Sequence, residues 1–161
     1  MNRFLYAALF ITALVSGSSA QDTSFSEPTH PPSGKSSYPP APRLADIMAS
    51  VQLRYPKLWY AGALKNWPLA NYELARIKDG LEDATWFYGN IPVEAVMLIA
   101  KPLSDLGEAI TAKDGGKFER TFLALTHACN ECHGQAQLGF IVSKPPTTLL
   151  FSDQDFTPRE K

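Results

Sequence analysis

Apolar residues in the middle of the chain return at alternating steps of four and three. Leu44, Met48, Val51, Tyr55, Leu58 and Gly62 trace one such stripe, and this spacing predicts a helix with a single buried face. Pro56 interrupts it and predicts a kink or break. A second stripe, Ala70, Leu74, Ile77, Leu81, Ala84 and Tyr88, follows Asn66 and Pro68, a capping residue and an early-turn proline. Gly89-Asn90 closes it. The third segment starts at Pro92 and carries Val93, Val96, Met97, Ala100, Leu103 and Ile110 on its inward face, with Pro102 and Gly107 weakening its middle. Asp114-Gly115-Gly116 reads as a turn. Phe118, Phe122, Leu125, Cys129, Cys132 and Ala136 form the fourth stripe. Gly134, Gly139 and Pro145-Pro146 should end that helix early. The spacing suits nearly antiparallel, left-handed helix packing, and short connections favour up-down-up-down order. The expected fold is all-α: an antiparallel four-helix bundle with a Pro-rich N-terminal arm and an irregular C-terminal tail.

The flanks have other signatures. Residues 1–20 combine Arg3, an apolar stretch from Phe4 to Val15 and small residues at Ser18-Ser19-Ala20, the layout of a cleavable signal peptide. The stretch is shorter than the ~20 residues a membrane-spanning helix needs, so no span is expected after cleavage. Residues 21–42 are a spacer rich in Ser, Thr and Pro (Pro28, Pro31, Pro32, Pro39, Pro40, Pro42), which favours polyproline II or disorder. His30 lies within it and is expected to be solvated. The four-helix domain is then 43–140, and 141–161 is the tail.

Composition narrows the function classes. At 161 residues the chain suits one domain, and its 45% apolar content excludes a wholly disordered protein. A net charge of −1 with no Lys/Arg-dense run gives nucleic acid no electrostatic footprint. The sequence contains no nucleophile elbow, phosphate loop or H-E-x-x-H. Glu82 and Asp83 are adjacent on a helix and point apart, so they suit solvent better than acid–base work.

The 2 cysteines both fall in Cys129-Asn130-Glu131-Cys132-His133, a C-x-x-C-H motif. This spacing suits c-type haem: the thiols add across the porphyrin vinyl groups and the histidine ligates iron as proximal ligand. Other readings fit less well. A redox dithiol sits at a helix N-terminus after a strand, whereas this pair lies late in a helix. Zinc wants four ligands, and three are at hand. A plain disulfide leaves His133 unexplained. Met48, on the stripe of the first helix, is the first candidate for the opposite face of the iron, with core packing as the alternative. Met97 is the second candidate. His127 is rotated away from His133 on the same helix. Tyr55, Trp59, Tyr60, Trp67, Tyr72, Trp86, Phe87, Phe118 and Phe122 suit either a haem pocket wall or ordinary core. Arg54, Lys57 and Arg76 suit either haem propionates or solvent.

On Cys129-Cys132-His133 and the position of Met48, residues Arg43 to Gln137 resemble class II c-type cytochromes, the cytochrome c-prime group. That resemblance implies a four-helix bundle with the haem motif on the last helix and, in low-spin members, a methionine from the first. Met48-Ala-Ser-Val-Gln-Leu-Arg54, Lys57-Leu-Trp-Tyr-Ala-Gly62, Asn66-Trp67 and Leu69-Ala-Asn-Tyr-Glu-Leu74 look closer to an uncharacterised family of exported bacterial monohaem proteins. Phe140-Ile141-Val142 and Asp153-Gln154-Asp155-Phe156 are similar to that family's tail. A periplasmic setting is implied. The c-prime group usually ends soon after its haem motif, whereas this chain continues to Lys161, and Leu138–Phe156 is expected to fold back over the haem edge.

The leading expectation is a periplasmic monohaem cytochrome that carries single electrons between redox partner proteins and is not an enzyme. It would hold one covalently bound haem c on Cys129, Cys132 and His133, with Met48 opposite. One rival is a five-coordinate haem protein that binds nitric oxide or carbon monoxide as a sensor or scavenger. The other is a haem subunit docked on a larger redox enzyme, with the Pro-rich arm as tether. A homodimer would suit a bundle with spare apolar surface.

Overall fold

The computed structural model describes residues 40–159; the expected signal peptide, most of the expected spacer and His30 lie outside the described residues. Four helices follow one another: α1 (Leu44–Ala63), α2 (Trp67–Phe87), α3 (Val93–Thr111) and α4 (Gly115–Gln135). No strand occurs among the described residues. Short turns fold each helix back on the one before, and α4 returns to α1, closing an all-α four-helix bundle. No described helix is long and apolar enough to cross a membrane.

Local chemistry sets the starts. Asn66 accepts a hydrogen bond from the Leu69 amide at 3.3 Å, and Pro68 occupies the first turn, where its missing N–H costs nothing. Asp114 caps α4 through the Lys117 amide at 2.9 Å. Because that cap precedes them, Gly115 and Gly116 form the first helical turn instead of the expected loop. Arg43 precedes α1 directly, at the expected start of the fold.

Neither internal proline breaks its helix. Pro56 lies inside α1 and Pro102 inside α3. Each removes the amide that would bond the carbonyl four residues earlier, at Gln52 and Leu98. Both of those residues lie on the exposed side of their helices, and the helices run on past them.

The buried face of α3 also differs from expectation. Ala95, Ile99, Leu103, Leu106 and Ile110 point inward, while Val93, Met97 and Ala100 face out. Both sets have helical spacing, and the first brings the longer run of Ile and Leu to the core. Met97 is 68% exposed and does not face the interior.

The main core gathers Leu58, Leu74, Ile77, Leu106, Phe118, Phe122 and Leu125 around the middle of the bundle. Glu73 is buried beside it and meets Arg54 at 3.3 Å. Aromatic rings form the seam between α1 and α4. Tyr55 meets Phe122 with centroids 4.6 Å apart, and Trp59 meets Phe122 at 4.9 Å and Phe118 at 6.4 Å. Gly62 lets the Phe118 ring lie against the α1 backbone, since a Cβ there would come within 2.0 Å of it. Phe118 is itself hemmed in by Trp59, Trp67 and Phe122. Gly62→Ala is therefore expected to cost roughly 1–3 kcal/mol in urea unfolding, as overpacking does.

The tail has no regular secondary structure, yet it is part of the packed unit. It starts at the end of α4 and reaches the far end of the bundle, where the Asn66 side-chain amide donates to the Thr157 carbonyl at 3.1 Å. Phe156 is 2% exposed and packs on Tyr60 and Phe151. Lys57 sits 4.7 Å over the Phe151 ring. Phe156→Ala is expected to destabilise the whole bundle by roughly 3–5 kcal/mol, read as a lower midpoint of a single unfolding transition.

Candidate functional site

The aromatic seam fixes what stands opposite the C-x-x-C-H motif. Tyr55 meets Phe122 and Thr126, and Trp59 meets Phe118 and Phe122. The two helices run in opposite directions, so each step back along α1 matches one forward along α4. Met48 stands two turns before Tyr55, and Cys129–His133 stands two turns beyond Phe122–Thr126. Met48 is thus level with the motif.

Level is not contact. Met48 packs in a small cluster with Ile47, Ala84 and Tyr88, separate from the main core. Cys129 and Cys132 border the main core from α4. Several apolar side chains toward this end are exposed: Trp86 and Phe87 close α2, Val93 and Met97 open α3, and Phe140 and Val142 follow α4.

Both cysteines are free thiols of intermediate burial. Burial, with repulsion from Cys132 adding to it, pushes the Cys129 thiol up to about 11 from 9.0. Burial raises Cys132 as well. Reactive dithiols are shifted the opposite way, to favour the thiolate. Below Cys129 lies a polar pair. Thr126 donates to the Phe122 carbonyl at 2.8 Å, so its oxygen accepts the Tyr55 hydroxyl. Burial pushes Tyr55 up to about 12, and Cys129 adds to the shift.

His133 has one ring nitrogen committed. Its Nδ1 lies 2.8 Å from the Ile141 carbonyl oxygen. A carbonyl only accepts, so Nδ1 carries the proton, and in the neutral ring the lone pair is on Nε2. Asn130 is tied to the same segment. Its amide donates to the Ser143 carbonyl at 2.9 Å, and its oxygen accepts the Ser143 amide at 2.7 Å. These partners were invisible in sequence, where Asn130 is only a spacer within the motif and Ser143 lies on an unpatterned tail.

The remaining expected residues have other neighbours. His127 is exposed, with its Nδ1 3.9 Å from Glu131. Arg54 pairs with Glu73, Arg76 pairs with Asp79, and both lie against Tyr72. Phe118 and Phe122 are core, whereas Trp86 is 84% exposed. Among the described residues, no three or more His, Cys, Asp or Glu gather as a metal-ion site. Two surface grooves, one between α2 and α3 and one beside Trp59 and Gly62, contain no residue of the motif. Comparison of the chain with known protein families, with curated proteins and with solved structures finds no match.

The thiol environment has a direct chemical consequence. With Cys129 at about 11 against 9.0 for an unshifted thiol, the thiolate fraction at pH 8 falls about 100-fold. In the haem-free folded chain, alkylation of Cys129 is expected to be slower by about that factor than in the denatured chain. The rate should rise roughly tenfold per pH unit toward pH 11, followed by mass spectrometry of the labelled peptide.

Proposed function

We propose that the protein is a periplasmic monohaem cytochrome of the c type that carries single electrons. Cys129 and Cys132 would hold the haem covalently, and His133 would bind its iron. The observation that carries this reading is the His133 ring: the bond to Ile141 leaves Nε2 as the free donor, beside two unpaired thiols on the same helix. Thiols whose burial disfavours the thiolate argue against a working dithiol. The exposed apolar side chains at this end fit a large apolar group. Bound there, haem would supply a one-electron iron couple. The chain's part is to anchor it, to orient the imidazole and to choose what faces the other side.

Met48 is the residue proposed for that other side, because the α1–α4 register brings it level with the motif. Its packing against Ile47, Ala84 and Tyr88 supports a second reading, in which it stays in that cluster and the iron keeps an open position for nitric oxide or carbon monoxide.

The deciding measurement is the visible spectrum of protein matured with c-type haem machinery. Haem is expected to survive acid–acetone extraction from the wild type and to be lost from a Cys129→Ser, Cys132→Ser double variant. Sharp low-spin bands with a thioether–iron charge-transfer feature, abolished by Met48→Ala, are expected for the carrier. Broad high-spin bands that respond to carbon monoxide would establish gas binding instead. Absence of covalent haem would overturn both.

A further inference from the structure

Three hydrogen bonds close a ring on His133. The His133 carbonyl accepts the Leu138 amide at 2.7 Å, and the Leu138 carbonyl accepts the Ile141 amide at 2.8 Å. The Ile141 carbonyl then accepts the His133 ring at 2.8 Å. The ring nitrogen is thus held by a loop of main chain that starts on the histidine itself. Such a loop has to be pinned from outside, because an exposed backbone bond competes with water at every step. The pin is Asn130. Its two bonds to Ser143, at 2.9 and 2.7 Å, satisfy donor and acceptor of one peptide segment at once, as a strand partner would. Asn130 lies three residues before His133, on the adjoining turn of α4, so both grip the segment 141–143 from one helix face.

We propose that Asn130 is a positioning residue of the haem site. By clamping Ser143 it keeps the Ile141 carbonyl on His133 Nδ1, which sets the tautomer, the orientation and the basicity of the iron-binding imidazole. This rests on the haem reading above, but the clamp itself belongs to the chain alone. The hydrogen bond makes His133 a stronger donor, which favours the oxidised iron. Loosening the clamp raises the reduction potential.

Two measurements separate the clamp from the haem. In the haem-free full chain, nitrogen-15 NMR of the His133 ring is expected to report protonation at Nδ1 with a bare Nε2. Asn130→Ala is expected to lose that signature and give the tautomer mixture of free histidine. Asn130→Asp keeps the acceptor for the Ser143 amide and should restore part of it. Ser143→Pro removes that amide without touching α4 and should reproduce the loss if Asn130→Ala does not fold. In the haem-loaded protein the potential should rise in Asn130→Ala and Ser143→Pro and return partway in Asn130→Asp. A wild-type ring protonated at Nε2, or folded clamp variants with unchanged tautomer, overturns the proposal. An unchanged potential in variants that lose the tautomer removes the basicity role. Failure to attach haem overturns the functional reading and leaves the NMR result to decide the clamp.

Discussion

The seam between α1 and α4 is the contact on which the rest of the molecule depends. α1 packs closely with α2, and α3 with α4, so the bundle is two hairpins joined across sparser interfaces. Across one of those interfaces the rings of Tyr55 and Trp59 interlock with Phe118 and Phe122. Large rings give an interface both apolar area and directional contact, so a slip by one helical turn would break every pair at once. The small residue at Gly62 locks the far end of the seam by admitting Phe118. With the register held there, the other end is determined: Met48 on one hairpin comes level with Cys129–His133 on the other.

Much of this was legible in the chain. The stripe Ala70, Leu74, Ile77, Leu81, Ala84 and Tyr88 turns inward along its whole length, because a single apolar face leaves packing no alternative. α3 was misread for the opposite reason. It carries apolar residues on two neighbouring faces, and only the volume available inside the bundle separates Ile99 from Met97. At Pro56 the helix runs on where a break was one of the two outcomes expected. A proline breaks a helix when the carbonyl it orphans has no partner, and whether Gln52 or Leu98 reaches water depends on the fold around it. The motif announced its own residues, while its partners did not. A main-chain carbonyl at Ile141 has no signature in sequence, and Asn130 reveals its use only when Ser143 is brought beside it.

Helix ends show how one backbone device can serve both fold and site. α1, α3 and α4 all stop on a residue with positive φ, at Lys65, Lys113 and Gln137, where glycine is the usual choice. At each, the next amide reaches back to a carbonyl five residues earlier: Asn66 to Ala61, Asp114 to Ala109 and Leu138 to His133. A side chain in this conformation costs about 1–2 kcal/mol, so the bonds it completes must outweigh that strain. After Lys65 and Lys113 the turn delivers the capping residue of the next helix, Asn66 or Asp114, and the return is a tighter bundle. After Gln137 no helix follows. The reversed chain passes over the last turn of α4, brings Ile141 to His133 and Ser143 to Asn130, and goes on to bury Phe156 at the other end. The tail is therefore anchored at both extremes, by the motif and by the core. The core fixes the tail's far end through Phe156, and Asn130 fixes the near end where the imidazole is oriented.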